Sequence, residues 1–445
     1  MKKLCEAKRW QGMATMSDKI KIGLTRNRLF EFNNAVVFCG KPMGYDKATL
    51  DKALKLLCLK EPVITSVATL CKNGECYIEA DMVSQELIVS EKNACEIKKD
   101  FAENGLSFDE KLFEFVLSDD GYLVVGAHTL VADCKSLLRL AMELAQLCGS
   151  HVNSVVPMGI EAFSDTTALP MEVNSPLTDK LSAELDSKWQ KISRKLSVAD
   201  YKSAREVYFG KRSFSDELTL ELSSERTAVL AEFCAEQGVD LSSVIGFAFY
   251  KALHGKLNPA KKHGKMCIHA DRRFFIQNAE NVSVGAFNGS CEASLGDKER
   301  KLDLNEQIKA FHKSCYKGVT SPFKTFYDEV LLMKVSPSYC DSAYMYLAGS
   351  VRDKASGKLA HNYGCMNEQL CEFFSCNLEQ NYWRGLDVFS DISVTEPLKE
   401  RFAASVSFLR VAGGCKITLR FNNRRLDESV ARGVIADAMD VLNKI

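Results

Sequence analysis

The amino-acid sequence predicts an α/β protein built from two lobes. A chain of 445 residues is longer than a single hydrophobic core normally accommodates, so we expect two cores. Hydrophobic residues make up 46% of the chain, which is enough to fill both. Patterns typical of strands and patterns typical of amphipathic helices occur in each half of the chain.

The first half contains a strand, a helix and a hairpin. Ala35–Cys39 is an apolar run typical of a strand, and Asp46 can cap the helix that follows, in which leucines recur at helical spacing. Leu112–Leu117 and Tyr122–Gly126 are two further apolar runs, joined by an Asp-Gly pair that favours a tight turn. Such short, nearly unbroken runs indicate strands that are buried on both faces.

The second half shows the same mixture of elements. Glu217–Leu222 alternates as a strand does, and Val244–Leu253 is an almost entirely apolar helix that must be buried. Lys265–Ala270 is predicted to be a strand. Cys415–Phe421 alternates again and leads into a final amphipathic helix.

Polar residues gather where the hairpin's second strand ends. The strand runs directly into His128, Thr129 and, four residues later, Asp133, after which an amphipathic helix begins. A buried strand that ends in such residues places polar side chains at the edge of a core. The sequence therefore predicts a functional site at this position.

The segment His128–Cys134 resembles the His-His-x-x-x-Asp-Gly motif of the condensation-domain and CoA-dependent acyltransferase superfamily, which includes chloramphenicol acetyltransferase. His128 matches the first histidine, Asp133 the aspartate and Cys134 the glycine. Thr129 stands where the family has its second histidine, which acts there as the general base. By resemblance the motif is therefore present without its usual base.

Further elements of the family follow in the expected order. Arg272 resembles the arginine of the family's arginine-containing strand. Gly285 and Asn288 belong to a segment similar to the Val-Gly-Asn-Phe element that follows that strand in the family. Asn377 lies in a segment that looks like the channel-lining Ser-Asn-Leu-Gly element. The resemblance covers most of the chain from Leu29 to the end.

This resemblance implies the architecture in more detail. We expect two chloramphenicol-acetyltransferase-like lobes, each a mixed sheet flanked by helices, with a channel between them. The predicted division is a polar leader at 1–28, a first lobe with its crossover at 29–212 and a second lobe at 213–445. A monomer is expected.

The resemblance also implies the reaction. An acyltransferase of this kind moves an acyl group from a thioester, carried by CoA or by the phosphopantetheine arm of a carrier protein, to a hydroxyl or amine acceptor. The acceptor must lose a proton as it attacks, and an imidazole is a suitable base. We therefore expect a small-molecule acceptor, an acyl-CoA or phosphopantetheine thioester as co-substrate, an acyl carrier protein as a second type of partner, and no permanently bound cofactor or metal.

The base is the open question. The hydroxyl of Thr129 cannot act as a base near pH 7, and alternation along a strand points His128 to the opposite face, into the packing, unless the chain rotates locally. His128 and Thr129 are the catalytic candidates. By family correspondence Asp133 pairs with Arg272, with Arg273 as the second choice.

Three alternatives remain open at this point. The chain is an acyltransferase that uses His128, a catalytically silent relative that binds a ligand or carrier-protein arm, or a transferase that uses Cys134, whose position near a helix N-terminus can lower a thiol pKa. His269 can also reach a channel, although its position in the sequence favours an ordinary strand histidine. Cys134, Gly285, Asn288 and Asn377 are the candidates for lining the channel.

Composition excludes several other classes. Lys+Arg and Asp+Glu both number 58, so bulk charge does not favour nucleic acid or an anionic membrane. No apolar run approaches the roughly 20 residues of a membrane helix. The 17 cysteines are scattered without a Cys-x-x-Cys pair, which indicates reduced thiols rather than a zinc site. Together with the lack of an apolar export signal, this predicts a cytoplasmic protein.

Overall fold

The computed structural model describes most of the chain, and the account below concerns the part that it describes. These residues are 19–150, 154–157, 169–192, 194–211, 215–260, 263–276, 284–363, 365–379, 383 and 385–445. Residues 1–18 of the predicted leader and the predicted lobe boundary at Arg212 lie outside them.

The described residues form three sheets. The strands are β1 (Lys19–Lys21), β2 (Ala35–Pro42), β3 (Val67–Leu70), β4 (Cys76–Glu79), β5 (Leu87–Val89), β6 (Phe113–Leu117), β7 (Leu123–His128), β8 (Ser215–Leu222), β9 (Met266–Asp271), β10 (Asn288–Ala293), β11 (Gln369–Asn377), β12 (Phe389–Thr395), β13 (Phe402–Val411) and β14 (Gly414–Asn422). The first lobe contains a sheet in the order β12-β2-β7-β6-β5, and the second lobe contains one in the order β10-β9-β11-β13-β14-β8. A small sheet has the order β1-β4-β3.

Helices cover the two large sheets. They are α1 (Lys47–Lys60), α2 (Ala94–Asn104), α3 (Cys134–Gly149), α4 (Pro176–Trp189), α5 (Val198–Lys211), α6 (Ser224–Gln237), α7 (Leu241–Leu257), α8 (Leu304–Val319), α9 (Pro322–Met333), α10 (Pro337–Ala348), α11 (Lys354–Tyr363) and α12 (Glu428–Leu442). Among the described residues, none of the helices has both the length and the apolar character that a membrane span requires.

Both large sheets are mixed, as expected. In the first sheet β5 and β6 are parallel while the other pairs are antiparallel. In the second, β11 runs parallel to both β9 and β13. Each lobe has its own hydrophobic core, and α7, which the sequence predicted to be buried, lies in the second one.

The hairpin β6–β7 explains why the predicted site lies where it does. Gly121 has φ of 82°, a conformation that favours glycine, and the turn pairs Phe115 with Val125. The two strands are buried by α3 on one face of the sheet and by α2 on the other. Burial on both faces accounts for the unbroken apolar runs.

One strand of the second half of the chain belongs to the first sheet. β12 pairs antiparallel with β2 at the sheet edge, with Thr395 opposite Val37. The chain therefore crosses from the second lobe to the first and returns. The residue that follows β12 is Glu396, which the crossing carries to the contact between the lobes.

Candidate functional site

A buried ion pair joins the two lobes beside the motif. The Asp133 carboxylate accepts hydrogen bonds from Arg273 Nη2 at 3.1 Å and from Arg273 Nη1 at 3.2 Å. It also accepts the backbone N–H groups of Ser136, at 2.7 Å, and Phe287, at 2.9 Å. Asp133 thus caps the N-terminus of α3 and fixes the second lobe against it at the same time.

The expected partner of this aspartate, Arg272, was wrong, and the second choice, Arg273, occupies the position. Both arginines belong to a short 3₁₀ turn after β9, in which successive side chains diverge by about 120°. The Arg272 guanidinium is directed away, with Nε 2.8 Å from the Thr325 carbonyl oxygen and an ion pair to Glu329. It supports the second lobe and makes no contact with Asp133.

His128 and Thr129 are both enclosed by the first lobe. His128 has no exposed surface, its Nδ1 accepts the N–H of Leu130 at 3.0 Å, and its Nε2 lies 2.8 Å from Asn34 Nδ2. Burial lowers the pKa of His128 to about 3, so the ring is neutral. Thr129 donates its hydroxyl to Glu31 Oε2 at 2.7 Å. Neither side chain lines the two cavities described below.

The other candidates have different surroundings. Cys134 is buried, and burial raises its pKa well above the usual thiol value, so the thiol is neutral. A side chain at Gly285 would overlap the ring of Phe287, so this position requires glycine. Asn288 lines both cavities and accepts a hydrogen bond from an arginine of the first lobe. Asn377 lies at the end of β11 and lines neither cavity.

Two cavities of opposite character meet between the lobes. The polar cavity, of about 90 Å³, is lined by charged and hydrogen-bonding side chains of both lobes, including Arg28, Glu31, Glu329 and Lys399. The apolar cavity, of about 470 Å³, has walls that include Ile268, Phe311, Val319, Phe373 and Phe374. Two residues, His269 and Asn288, line both cavities. These two side chains therefore border both cavities, and their location is here called the junction.

The apolar cavity exists because two neighbouring strands separate. β9 and β11 pair only as far as Ile268 and Phe373. Beyond that point β9 pairs with β10 alone, and β11 pairs with β13 alone. The residues just past the separation, His269 and Phe374, face the space that opens between the strands.

His269 lies between two buried glutamates at the junction. Its Nε2 is 2.7 Å from Glu372 Oε1, and its Nδ1 is 3.7 Å from Glu396 Oε1. Glu396 also accepts the backbone N–H of Cys134 at 3.3 Å. The exposed fraction of each of the three acid–base side chains is 6% or less. His269 Nδ1, Glu372 Oε2 and Glu396 Oε2 have no hydrogen-bond partner among the described residues, although buried polar atoms normally have one.

The electrostatics of this group follow from burial and from its neighbours. Burial lowers the pKa of His269, but Glu372 and, to a lesser extent, Glu396 raise it, and the net result is a raised pKa. Burial raises the pKa of Glu372, but His269 outweighs it and the pKa is lowered. For Glu396 burial prevails, and its pKa is raised. Glu372 is thus the charged partner of the histidine.

From the sequence, His269 was interpreted as an ordinary strand histidine that could also reach a channel, and neither glutamate was predicted to belong to a site. The available signal was its place on a predicted strand, three residues before the arginine that resembles the family's. Glu372 and Glu396 gave no signal, because one lies on β11 and the other follows β12, both about a hundred residues or more along the chain from His269. Only the fold brings the three together.

Comparison by sequence finds no relative: no protein-family model matches the chain, and no curated protein matches it. Comparison by structure gives matches over nearly the whole chain. The epimerization domain from the third module of tyrocidine synthetase B has a TM-score of 0.63 and 12% identity, with 96% of each chain covered.

Two further structures match equally broadly. Trichothecene 15-O-acetyltransferase from Fusarium sporotrichioides has a TM-score of 0.62 and 11% identity, over 95% of this chain and 94% of that one. The condensation domain of the Monacolin K polyketide synthase has a TM-score of 0.61 and 10% identity, over 95% and 96% of the two chains.

These neighbours define the class of fold. The chain is a two-lobed α/β protein with mixed sheets, as the sequence predicted. More particularly, it has the fold shared by condensation domains and CoA-dependent acyltransferases of the chloramphenicol-acetyltransferase type. The resemblance inferred from scattered sequence elements is thereby confirmed at the level of the fold.

Proposed function

We propose that this protein transfers an acyl group from a thioester to a hydroxyl or amine acceptor. The observation that carries the proposal is the meeting of a polar and an apolar cavity at His269 and Asn288. An acyl chain gains free energy by leaving water for the apolar cavity. A small polar acceptor finds hydrogen-bond partners in the polar cavity, and the reacting carbonyl then lies at the junction.

The donor is proposed to be acyl-CoA or an acyl group on a carrier-protein arm. One structural neighbour is named as an acetyltransferase, and others are domains of peptide and polyketide synthetases. The shared fold is compatible with both kinds of thioester. Both place a reactive carbonyl at the end of a long, thin arm, which suits a crevice between two lobes.

The ion pair beside the cavities is proposed to hold the site together. Arg273 donates from its two Nη groups to Asp133, to Asp271 and to the Ser136 hydroxyl, so both of these groups are directed at protein atoms. A guanidinium held in this way is a poor candidate for binding a substrate. Its part in the reaction is to keep the start of α3 and the end of β9 in a fixed relation, because acyl transfer depends on precise placement of the reacting groups.

A second candidate function is binding without turnover. It is favoured by Thr129, which stands at the position of the family's base and holds its hydroxyl against Glu31. In that case the cavities would bind an acyl group or a carrier-protein arm, and no chemistry would follow.

The test is incubation of the protein with acyl-CoAs of increasing chain length and a set of small alcohols and amines. Free CoA is measured by chromatography, since the cysteines of the chain would react with a thiol reagent. Release of CoA that depends on the acceptor supports transfer. No release, together with a rise in melting temperature on adding acyl-CoA, supports the binding function, and neither effect refutes both.

A pair of glycine variants of α7 tests the placement of the acyl chain. Gly246 lines the apolar cavity, whereas Gly255 has open space around it. Gly246→Leu should narrow the cavity and shift the preference towards shorter acyl donors. Gly255→Leu should leave the preference unchanged. An unchanged preference in both variants would show that the acyl group does not bind in this cavity.

A further inference from the structure

We infer that His269 is the general base of the proposed transfer and that Glu372 orients its imidazole. The inference rests on the proposed function and deepens it: the base is supplied by the second lobe, from a strand, instead of by the motif in the first lobe. It explains how a chain with Thr129 in the motif can retain the chemistry.

The positions of the two motif residues exclude them as the base. Thr129 is held by Glu31, and His128 is neutral and enclosed. Among the histidines that the structure describes, only His269 lines either cavity, and it lines both. A base must come within hydrogen-bond reach of the proton that it removes.

The orientation of the ring determines which of its nitrogens is the base. A carboxylate accepts hydrogen bonds and does not donate them, so His269 Nε2 must carry the proton that is directed at Glu372 Oε1, 2.7 Å away. Nδ1 is then the basic nitrogen. In the part of the chain that the structure describes it has no hydrogen-bond partner, and Glu396 Oε1 is 3.7 Å away, which is too far for a hydrogen bond. A nucleophile with a proton to lose fits this position.

Three charged groups act on the ring, one from β11 and two from the loop between β12 and β13. Glu372 on β11 raises the pKa of His269, Glu396 after β12 adds to that effect, and Lys399 opposes it. The result is a pKa above the usual histidine value. A higher pKa makes the unprotonated imidazole a stronger base, and only the unprotonated fraction of His269 can accept the proton.

The remaining charged groups on the apolar cavity wall next to the ring are paired with one another. Asp133 binds Arg273, and Asp271 binds both Arg273 and Lys135. They therefore contribute little free charge to the ring's surroundings. Glu372 therefore has the largest raising effect on the pKa of His269.

His269 Nδ1 takes a proton from the acceptor and later gives it to the leaving thiolate. The acceptor oxygen or nitrogen forms a bond to the thioester carbonyl carbon, its proton passes to His269 Nδ1, and the carbonyl π electrons move to the oxygen. The tetrahedral intermediate then reforms the carbonyl and the carbon–sulfur bond breaks. The leaving thiolate takes the proton back from Nδ1 and departs as a free thiol, which returns the imidazole to its neutral state.

The test compares three variants under the conditions in which the natural protein releases CoA. His269→Gln retains a side-chain N–H for Glu372 but has no basic nitrogen, and kcat should fall about 10²–10⁴-fold with little change in KM. His361→Gln, at an exposed histidine near the end of α11, is the matched control and should retain full activity. Melting temperatures show whether each variant is folded.

Glu372→Gln provides a readout that a merely structural role would not change. The rate rises with pH as the base loses its proton, and Glu372 raises the pKa of that base. Removing the negative charge should therefore shift the rising limb of the kcat/KM profile to lower pH. A folded His269→Gln variant with activity within threefold of the natural protein, or an unmoved limb in Glu372→Gln, refutes the assignment while leaving the transfer reaction in place. Absence of CoA release in the natural protein refutes the transfer reaction itself.

Discussion

The ion pair between the lobes leads to the sharpest prediction about stability. Asp133→Ala removes the carboxylate that Arg273 binds twice and that caps α3. Loss of one partner of a buried ion pair costs about 3–5 kcal/mol, and loss of an N-cap adds about 1 kcal/mol. Because Arg273 keeps Asp271 and Ser136 as partners, we expect a loss near the lower end, about 4 kcal/mol.

A loss of this size changes the unfolding equilibrium constant roughly a thousandfold. It is measured by urea denaturation, followed by tryptophan fluorescence and far-UV circular dichroism. Asp46→Ala is the matched control, because Asp46 caps α1 through one bond of 2.8 Å to Thr49 but is exposed and has no buried cation to leave unpaired. Its loss should be much smaller. Equal losses in the two variants would refute the inference that the carboxylate–guanidinium pair joins the lobes.

Two further predictions concern the first lobe. Gly126→Ala should destabilise the protein by about 1–3 kcal/mol in the same urea assay, because the added Cβ would overlap a core phenylalanine ring. Gly255→Ala, on an open helix surface, should stabilise the protein by up to about 1 kcal/mol. The opposite order of stabilities would contradict the packing around Gly126. Iodoacetamide should label the exposed Cys95 and leave Cys134 unmodified in the native protein, since burial raises the pKa of Cys134 and leaves almost no thiolate; labelling of both at equal rates, measured by peptide mass spectrometry, would restore Cys134 as a candidate nucleophile.

Local periodicity was sufficient to predict much of the fold. The hairpin β6–β7 and the buried helix α7 follow from apolar runs and a turn signal, which depend on neighbouring residues only. The position of β12 could not be predicted in this way. Its sequence favours a strand, but nothing in it indicates that its partner is β2, about 350 residues earlier in the chain.

The candidate site was predicted in part for the same reason. Asp133 was found because it lies between a strand and a helix, where one residue both caps and pairs. Arg272 was chosen over Arg273 because sequence order does not specify how a 3₁₀ turn directs its side chains. His269 was visible as a residue but not as a site, because its character depends on Glu372 and Glu396, which are distant in sequence.

β12 follows elements of the second lobe in the chain but lies in the sheet of the first lobe. This crossing gives a physical reason why a base in the second lobe can serve a site beside the first lobe's motif. The crossing places Glu396 where one oxygen accepts the N–H of Cys134 at the start of α3 and lies 3.7 Å from His269. The start of α3 and His269 therefore both lie against the same carboxylate, that of Glu396. Glu396 thus keeps the two walls of the crevice at a defined distance from each other. A base on the second lobe's wall is then correctly placed even though the motif carries Thr129 and not a second histidine. The two lobes must then move as one unit at this point. A Glu396→Gln variant, which keeps an oxygen for the Cys134 N–H, should retain that geometry, whereas Glu396→Ala should lose it. We expect transfer activity to survive the first change and to fall with the second, as measured by CoA release; equal activity in both would show that Glu396 does not hold the two walls together.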